Sequence, residues 1–165
     1  MFEKTIHTKV AFRGKLLTLE QLDVELDNGQ PAYREIIRHP GAIGVVAQLD
    51  ADRFVLVRQY RKAVESVMTE VVAGMLDPGE APEAAARREL EEETGYSARS
   101  MTYLGTLYAS PGYVDEEVKI FLADLNPEVQ ATRFDHGKHM EPVVWTRSEW
   151  SAAIRAGDQR DAKTL

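Results

Sequence analysis

Leu22, Val24 and Leu26 occupy every second position near the end of the stretch 16–26, with polar residues between them, and Asp27-Asn28-Gly29-Gln30 follows. Alternation with a period of two marks a half-buried strand, and an Asn-Gly pair between two such runs signals a hairpin. The pattern predicts a strand over 16–26, a turn, and a second strand over 32–39 that His39-Pro40-Gly41 breaks. Two apolar runs, 42–49 and 54–60, flank Asp50-Ala51-Asp52 and predict buried strands, with a further strand over 67–73. Beyond the loop Asp77-Pro78-Gly79 the signals become helical. Pro82 suits a first helical position and Gly95 the position just past the end, which predicts a helix over about 82–94. Strands follow near 101–108, 117–124 and 142–146, and a second helix begins near Ser148. The expected class is α+β, an α/β/α sandwich around a mixed sheet, preceded by an antiparallel strand region.

Composition narrows the function more than the fold. The 165 residues suggest a single domain, with neither repeat nor linker to divide it. The net charge of -7 repels polyanions, so neither nucleic acid nor a membrane surface is an expected partner. The absence of cysteine excludes disulfides and thiolate metal sites, and MFEKTIHTKV has no apolar signal region. A cytoplasmic protein is expected.

One feature of the predicted helix opposes ordinary helix physics. Glu89, Glu91, Glu92 and Glu93 crowd its carbonyl end, where the macrodipole disfavours anions. Glu89, Glu92 and Glu93 share one face, whereas Glu91 points elsewhere. Carboxylates about 6 Å apart repel by about 3 kcal/mol at an effective dielectric near 20. The Arg87–Glu91 and Arg88–Glu92 pairs return only about 0.2–0.5 kcal/mol each. Convergence on a divalent cation would turn the repulsion into coordination.

The stretch 74–96, GMLDPGEAPEAAARRELEEETGY, resembles the Nudix box, G-x5-E-x7-R-E-U-x-E-E-x-G-U, where U is a bulky apolar or aromatic residue. Gly74, Glu80, Arg88, Glu89, Leu90, Glu92, Glu93, Gly95 and Tyr96 fill its fixed positions. The resemblance implies a Nudix hydrolase fold and a loop–helix–loop that holds Mg²⁺ or Mn²⁺ against a substrate diphosphate. It implies direct metal ligation by Glu89, Glu93 and the backbone carbonyl of Ala73. Glu92 would be a further ligand or the base that takes a proton from water. Glu80 and Arg88 would hold the loop against the helix, with Arg88 counted in the catalytic set, and Gly74 and Gly95 would permit the turns.

Segments outside the box extend the resemblance over most of the chain. YREIIRHPGAIGVVA, VRQYR, EVVAG, ASPGYVDE and DAKTL look like the ADP-ribose pyrophosphatase subfamily, as does Pro111, fifteen residues beyond Tyr96. The resemblance implies substrate contacts from Arg34, Glu35, Arg58, Arg61, Glu70, Pro111 and Gly112, and a catalytic role near the metals for Glu116. A small nucleoside diphosphate derivative would be the substrate, ADP-ribose yielding AMP and ribose 5-phosphate. A nucleotide sugar, a dinucleotide cofactor or a diadenosine polyphosphate is the alternative. A homodimer, with N-terminal strands helping to build the partner's site, is implied too. A non-catalytic ADP-ribose sensor is a rival reading, and the intact box argues against it. The whole of 1–165 is expected to form one domain, with N-terminal strands to about residue 40 and the core over 41–165.

Two departures stand out. The subfamily's E-x-P-A-G is here Glu70-Val71-Val72-Ala73-Gly74, without the proline. In ATRFDHGKHME, Lys138 or His139 stands where relatives often carry a glutamate. Glu141, Asp135, His136 and His139 are therefore candidate replacement bases, beside Glu92 and Glu116. A histidine in that loop would titrate near neutrality. His39 is expected to be structural.

Overall fold

The computed structural model describes residues 1–130 and 140–165. The chain forms two compact units, Met1–Gly41 with Tyr108–Glu117, and Ala42–Leu107 with Val118–Leu165.

In the first unit β1 (Glu3–Arg13), β2 (Thr18–Leu26) and β3 (Pro31–Arg38) form an antiparallel three-stranded sheet. The expected hairpin is β2–β3. Gly29 takes φ 79°, which a side chain would disfavour, and its N–H donates to the Leu26 carbonyl. Leu22 and Val24, two of the alternating residues, are the buried ones. Segment 108–117 joins this unit through a parallel bridge between Val114 and Ile37.

The second unit holds a seven-stranded sheet. Its path runs β10 (Met140–Thr146), β5 (Arg53–Arg61), β4 (Ala42–Gln48), β9 (Glu117–Val129), β8 (Tyr96–Tyr108). β4 and β9 are parallel, whereas β10–β5 and β4–β5 are antiparallel, so the sheet is mixed as expected. β4 and β5 pair only through Ala47↔Val55 and Gln48↔Phe54. Beyond that point β6 (Ser66–Glu70) pairs with β5, and β7 (Val72–Met75) pairs with β4. The expected single strand over 67–73 is thus two strands on different neighbours, and Val71 is the crossing between them. Val72, at the position of the missing proline, lies in register with Val45 and is fully buried.

Helix α1 (Pro82–Thr94) has Pro82 in its first turn and Gly95 as a left-handed cap. Ala85, Ala86 and Leu90 pack with Val55, Val57, Ile43 and Val72 on one face of the sheet. Helix α2 (Arg147–Ala156) begins in a Thr146/Glu149 capping box. Trp150 of α2 meets Phe54 edge-to-face at 5.3 Å. Phe54 and Val55 point to opposite sides of β5, so the helices cover opposite faces. The second unit is an α/β/α sandwich.

Candidate active site

The two helices treat charge oppositely. α2 has Glu149 in its first turn and Arg155 in its last, as the macrodipole favours. α1 has no basic residue in its last turn; it buries Glu93 there and Glu89 one turn earlier, 2% and 5% exposed. Glu92 is half-buried and Glu91 exposed, the facial split expected from the spacing.

Arg88 organises this surface. Its Nε and Nη2 donate to Glu80 at 3.0 and 2.9 Å, a two-point tie between the preceding loop and the helix. Its Nη1 donates to Glu89 at 2.8 Å and to Glu92 at 3.3 Å. The guanidinium holds the Glu80 carboxyl below the usual range, and Glu80 in turn raises the Arg88 pKa. Glu80 also closes its own loop by accepting from the Asp77 N–H at 3.2 Å.

The box glycines answer to close approach. A Cβ on Gly74 would lie 2.0 Å from Glu89 Cδ and 2.2 Å from its Oε1. The Glu89 carboxylate therefore occupies the space that any other residue at 74 would fill. Gly95 has φ 75°, and a Cβ there would meet the Gln130 carbonyl oxygen at 2.1 Å.

Glu70 and Arg61 come together. Glu70 is 1% exposed and accepts from Arg61 Nε and Nη2, both at 2.7 Å. Arg61 is held charged mainly by this pair and also feels the field of Glu93. Alternation along β5 puts Arg61 on the α1 side with Val55, Val57 and the buried Gln59, and Arg58 on the other side. Arg58 and Arg61 thus face opposite sides of β5. Arg58 instead pairs at 3.4 Å with Glu141, opposite it on β10. Glu141 is accordingly an exposed strand residue. Asp135, His136, Lys138 and His139 lie outside the described residues.

The remaining candidates belong to the first unit. Arg34 is tied to Glu3 through Nε and Nη2, and Glu35 accepts from the Tyr33 hydroxyl at 3.1 Å. Pro111 and Gly112 are exposed in a turn that the Tyr113 and Val114 N–H groups close onto the Ser110 carbonyl. Glu116 Oε1 lies 3.8 Å from His39 Nδ1, which also accepts from the Gly41 N–H at 3.1 Å. The His39 N–H donates to Asp115 at 2.8 Å.

Three residues escaped the sequence reading. Lys163 Nζ lies 3.5 Å from Glu70 and 2.6 Å from Asp161. The Thr164 hydroxyl accepts from the buried Val71 N–H at 2.9 Å. Gln59 is 8% exposed, and its Nε2 has no hydrogen-bond partner among the described residues. Gln59 was visible as a polar residue at an inward strand position; nothing in DAKTL announces where it docks.

The donor set suits a hard divalent cation: carboxylates of Glu89, Glu92 and Glu93 on one helix face, with the backbone oxygen of Ala73 before the glycine that makes room for Glu89. Among the described residues no three such groups are already gathered around one point. Arg88 supplies positive charge to two of the three carboxylates.

Comparison with known proteins bears on the family. The family model described as NUDIX domain matches residues 37–165. The chain is 41% identical to an ADP-ribose pyrophosphatase of Bacillus subtilis, over 98% of this chain and 88% of that protein. It is 40% identical to a methanol dehydrogenase activator of Bacillus methanolicus, over 99% and 89%. A crystal structure of an ADP compounds hydrolase superposes with a TM-score of 0.83 at 28% identity, covering 99% of this chain and 89% of that one. A loop acid tied to the helix by Arg88, buried carboxylates at the helix's carbonyl end, a family model over most of the chain and near-full-length relatives all lead to one assignment: this chain belongs to the Nudix family.

Proposed function

We propose that the protein hydrolyses the diphosphate bond of ADP-ribose, releasing AMP and ribose 5-phosphate, with Mg²⁺ or Mn²⁺. The observation that carries the chemistry is the burial of Glu89 and Glu93 towards the carbonyl end of a helix whose last turn has no basic residue. The substrate rests on the flanking segments and on the printed activity of the Bacillus subtilis relative. Glu89, Glu93, Glu92 and the Ala73 carbonyl would hold the cations. When bound, divalent ions neutralise a diphosphate and lower the pKa of water.

The chain's own residues then divide the work. Arg88 holds Glu80, Glu89 and Glu92 in a fixed relation, so the acids are oriented before substrate arrives. Glu92, half-buried and accepting only the longest of the Arg88 contacts to carboxylates, is our choice for the proton acceptor, with Glu116 as the other candidate. Arg61 spends Nε and Nη2 on Glu70 and leaves Nη1 for a phosphate oxygen. Arg34, Glu35, Arg58, Glu70, Pro111 and Gly112 keep their proposed substrate roles.

We read the protein as a cytoplasmic homodimer of single-domain chains built through the N-terminal strands. Ile6, Val10 and Phe12 of β1 are exposed apolar side chains that a partner strand would cover. No helix among the described residues is long and apolar enough to cross a membrane. Light scattering on the purified protein tests the dimer.

The deciding experiment is a panel of ADP-ribose, nucleotide sugars, NADH, FAD and diadenosine polyphosphates with each metal, products read by chromatography. AMP released fastest from ADP-ribose supports the reading; faster cleavage of another compound keeps the chemistry and replaces the substrate. The 40% relation to a protein named for activating a dehydrogenase favours a second reading, in which the Nudix domain acts on a partner enzyme. Binding without turnover across the panel would favour it.

A further inference from the structure

Residues 159–164 are stitched onto the crossing between β6 and β7. The Gln159 side-chain N–H donates to the Thr69 carbonyl at 2.9 Å, and Gln159 is 5% exposed. The Thr164 hydroxyl accepts from the Val71 N–H at 2.9 Å and donates to Asp161 Oδ2 at 2.6 Å. The Trp150 indole N–H donates to the Thr164 carbonyl at 3.0 Å, anchoring the segment to α2. Val71 belongs to neither ladder, because β6 follows β5 and β7 follows β4. Its N–H is buried, and a buried amide must find an acceptor. Thr164 supplies the one that the sheet does not.

A charge chain runs beside this contact. Asp161, Lys163, Glu70 and Arg61 alternate in sign, with Lys163 Nζ between Asp161 at 2.6 Å and Glu70 at 3.5 Å. Glu70 is the residue before Val71, and Ala73 and Gly74 follow within one short strand. The segment therefore touches the backbone two residues before the expected carbonyl ligand and three before the glycine against Glu89.

We propose that residues Gln159–Thr164 act as a strap that positions the Ala73–Gly74 backbone, so that Thr164 and Lys163 set the cation affinity of the site without touching cation or substrate. The inference rests on the metal-dependent reading above. Outer partners of this kind usually change metal affinity by about 10–100-fold when removed.

The test is calorimetric titration of substrate-free protein with Mn²⁺, together with amide hydrogen exchange over residues 68–75 in metal-free buffer. Thr164→Val keeps the shape and removes the acceptor. It should weaken Mn²⁺ binding by about 10-fold or more and speed exchange over 71–75, and Thr164→Ser should restore both. At saturating Mn²⁺ the KM for ADP-ribose should stay near that of the wild type. Wild-type affinity in Thr164→Val, even with a lower melting temperature, overturns the strap and leaves the metal reading standing. A wild-type protein that takes up no Mn²⁺ overturns the metal reading and the strap with it. If Thr164→Val does not fold, Lys163→Met decides: unchanged Mn²⁺ affinity there refutes the proposal, and weakened affinity supports it.

Discussion

Replacing Gly74 with alanine adds one methyl group at a strand position with no positive φ, so backbone strain plays no part. The whole effect must come from what the methyl meets. It would lie 2.0 Å from Glu89 Cδ, where carbon atoms rest comfortably at about 3.5–4.0 Å, so the carboxylate must retreat by roughly 1.5 Å. Glu89 is 5% exposed and held by Arg88 at 2.8 Å, so the retreat breaks that contact. A lost charged hydrogen bond costs about 1.5–3 kcal/mol and an off-rotamer side chain about 0.5–1.5. The expected destabilisation in metal-free buffer is about 2–4 kcal/mol, a fall in Tm of about 4–16 °C for a domain of this size. Urea denaturation in EDTA measures it. In a Glu89→Ala background the obstacle is gone, and the same Gly74→Ala change should cost less than about 1 kcal/mol, leaving a coupling of about 1–3. Equal costs in the two backgrounds would refute the assignment of Gly74 as the space for the Glu89 carboxylate.

Glu93→Gln should abolish the rise in Tm that Mn²⁺ produces and lower activity by about 100-fold or more, the scale set by lesser perturbations of metal sites; calorimetric scans with and without Mn²⁺ check it, and retained activity would remove Glu93 from the ligand set. The Glu80 carboxyl is held below its ordinary 4.5 by Arg88. Its contribution to stability is therefore complete above pH 4.5 and lost as pH falls through the lower folded value. Stability curves of the wild type and Glu80→Gln should converge on acidification below pH 4.5, and a constant gap from pH 7 to 3 would contradict the pairing. Gln59→Leu removes a buried amide whose Nε2 has no partner among the described residues, so the substrate-free protein should gain about 1–2 kcal/mol in urea denaturation. A rise in KM alongside that gain would make Gln59 a substrate contact; a loss of stability would show that the amide is satisfied.

The helix that carries the site was legible because its signals are local. Pro82 and Gly95 fix both ends of α1, and the i, i+3, i+4 spacing alone separates Glu91 from the three acids on the other face. The hairpin at Gly29 was legible for the same reason. What escaped is non-local. The run 67–73 reads as one strand because nothing in it records that β4 and β5 diverge and leave it to change neighbours at Val71. β1 carries Ile6, Thr8, Val10 and Phe12 in alternation, yet all eleven of its residues are exposed. Arg58 and Arg61 are both expected at the substrate, yet they stand three residues apart on a strand and so face opposite sides of it, which parity alone shows.

The contrast between α1 and α2 bears on why such a site needs a rigid frame. α2 satisfies both of its ends and needs nothing further. α1 places two buried carboxylates, Glu89 and Glu93, against its own dipole, and Arg88 offsets the first of them with a guanidinium that must serve Glu80, Glu89 and Glu92 together. A cation bound at Glu89 and Glu92, as proposed, would take over part of that charge balance. The arrangement holds before its arrival only if loop and helix cannot drift apart, and that is what the Glu80 tie and the clearance at Gly74 provide. The order of loss under mutation follows. Changes at Glu80 or Gly74 should weaken cation binding and stability together, whereas Glu93→Gln should weaken cation binding while sparing the metal-free fold.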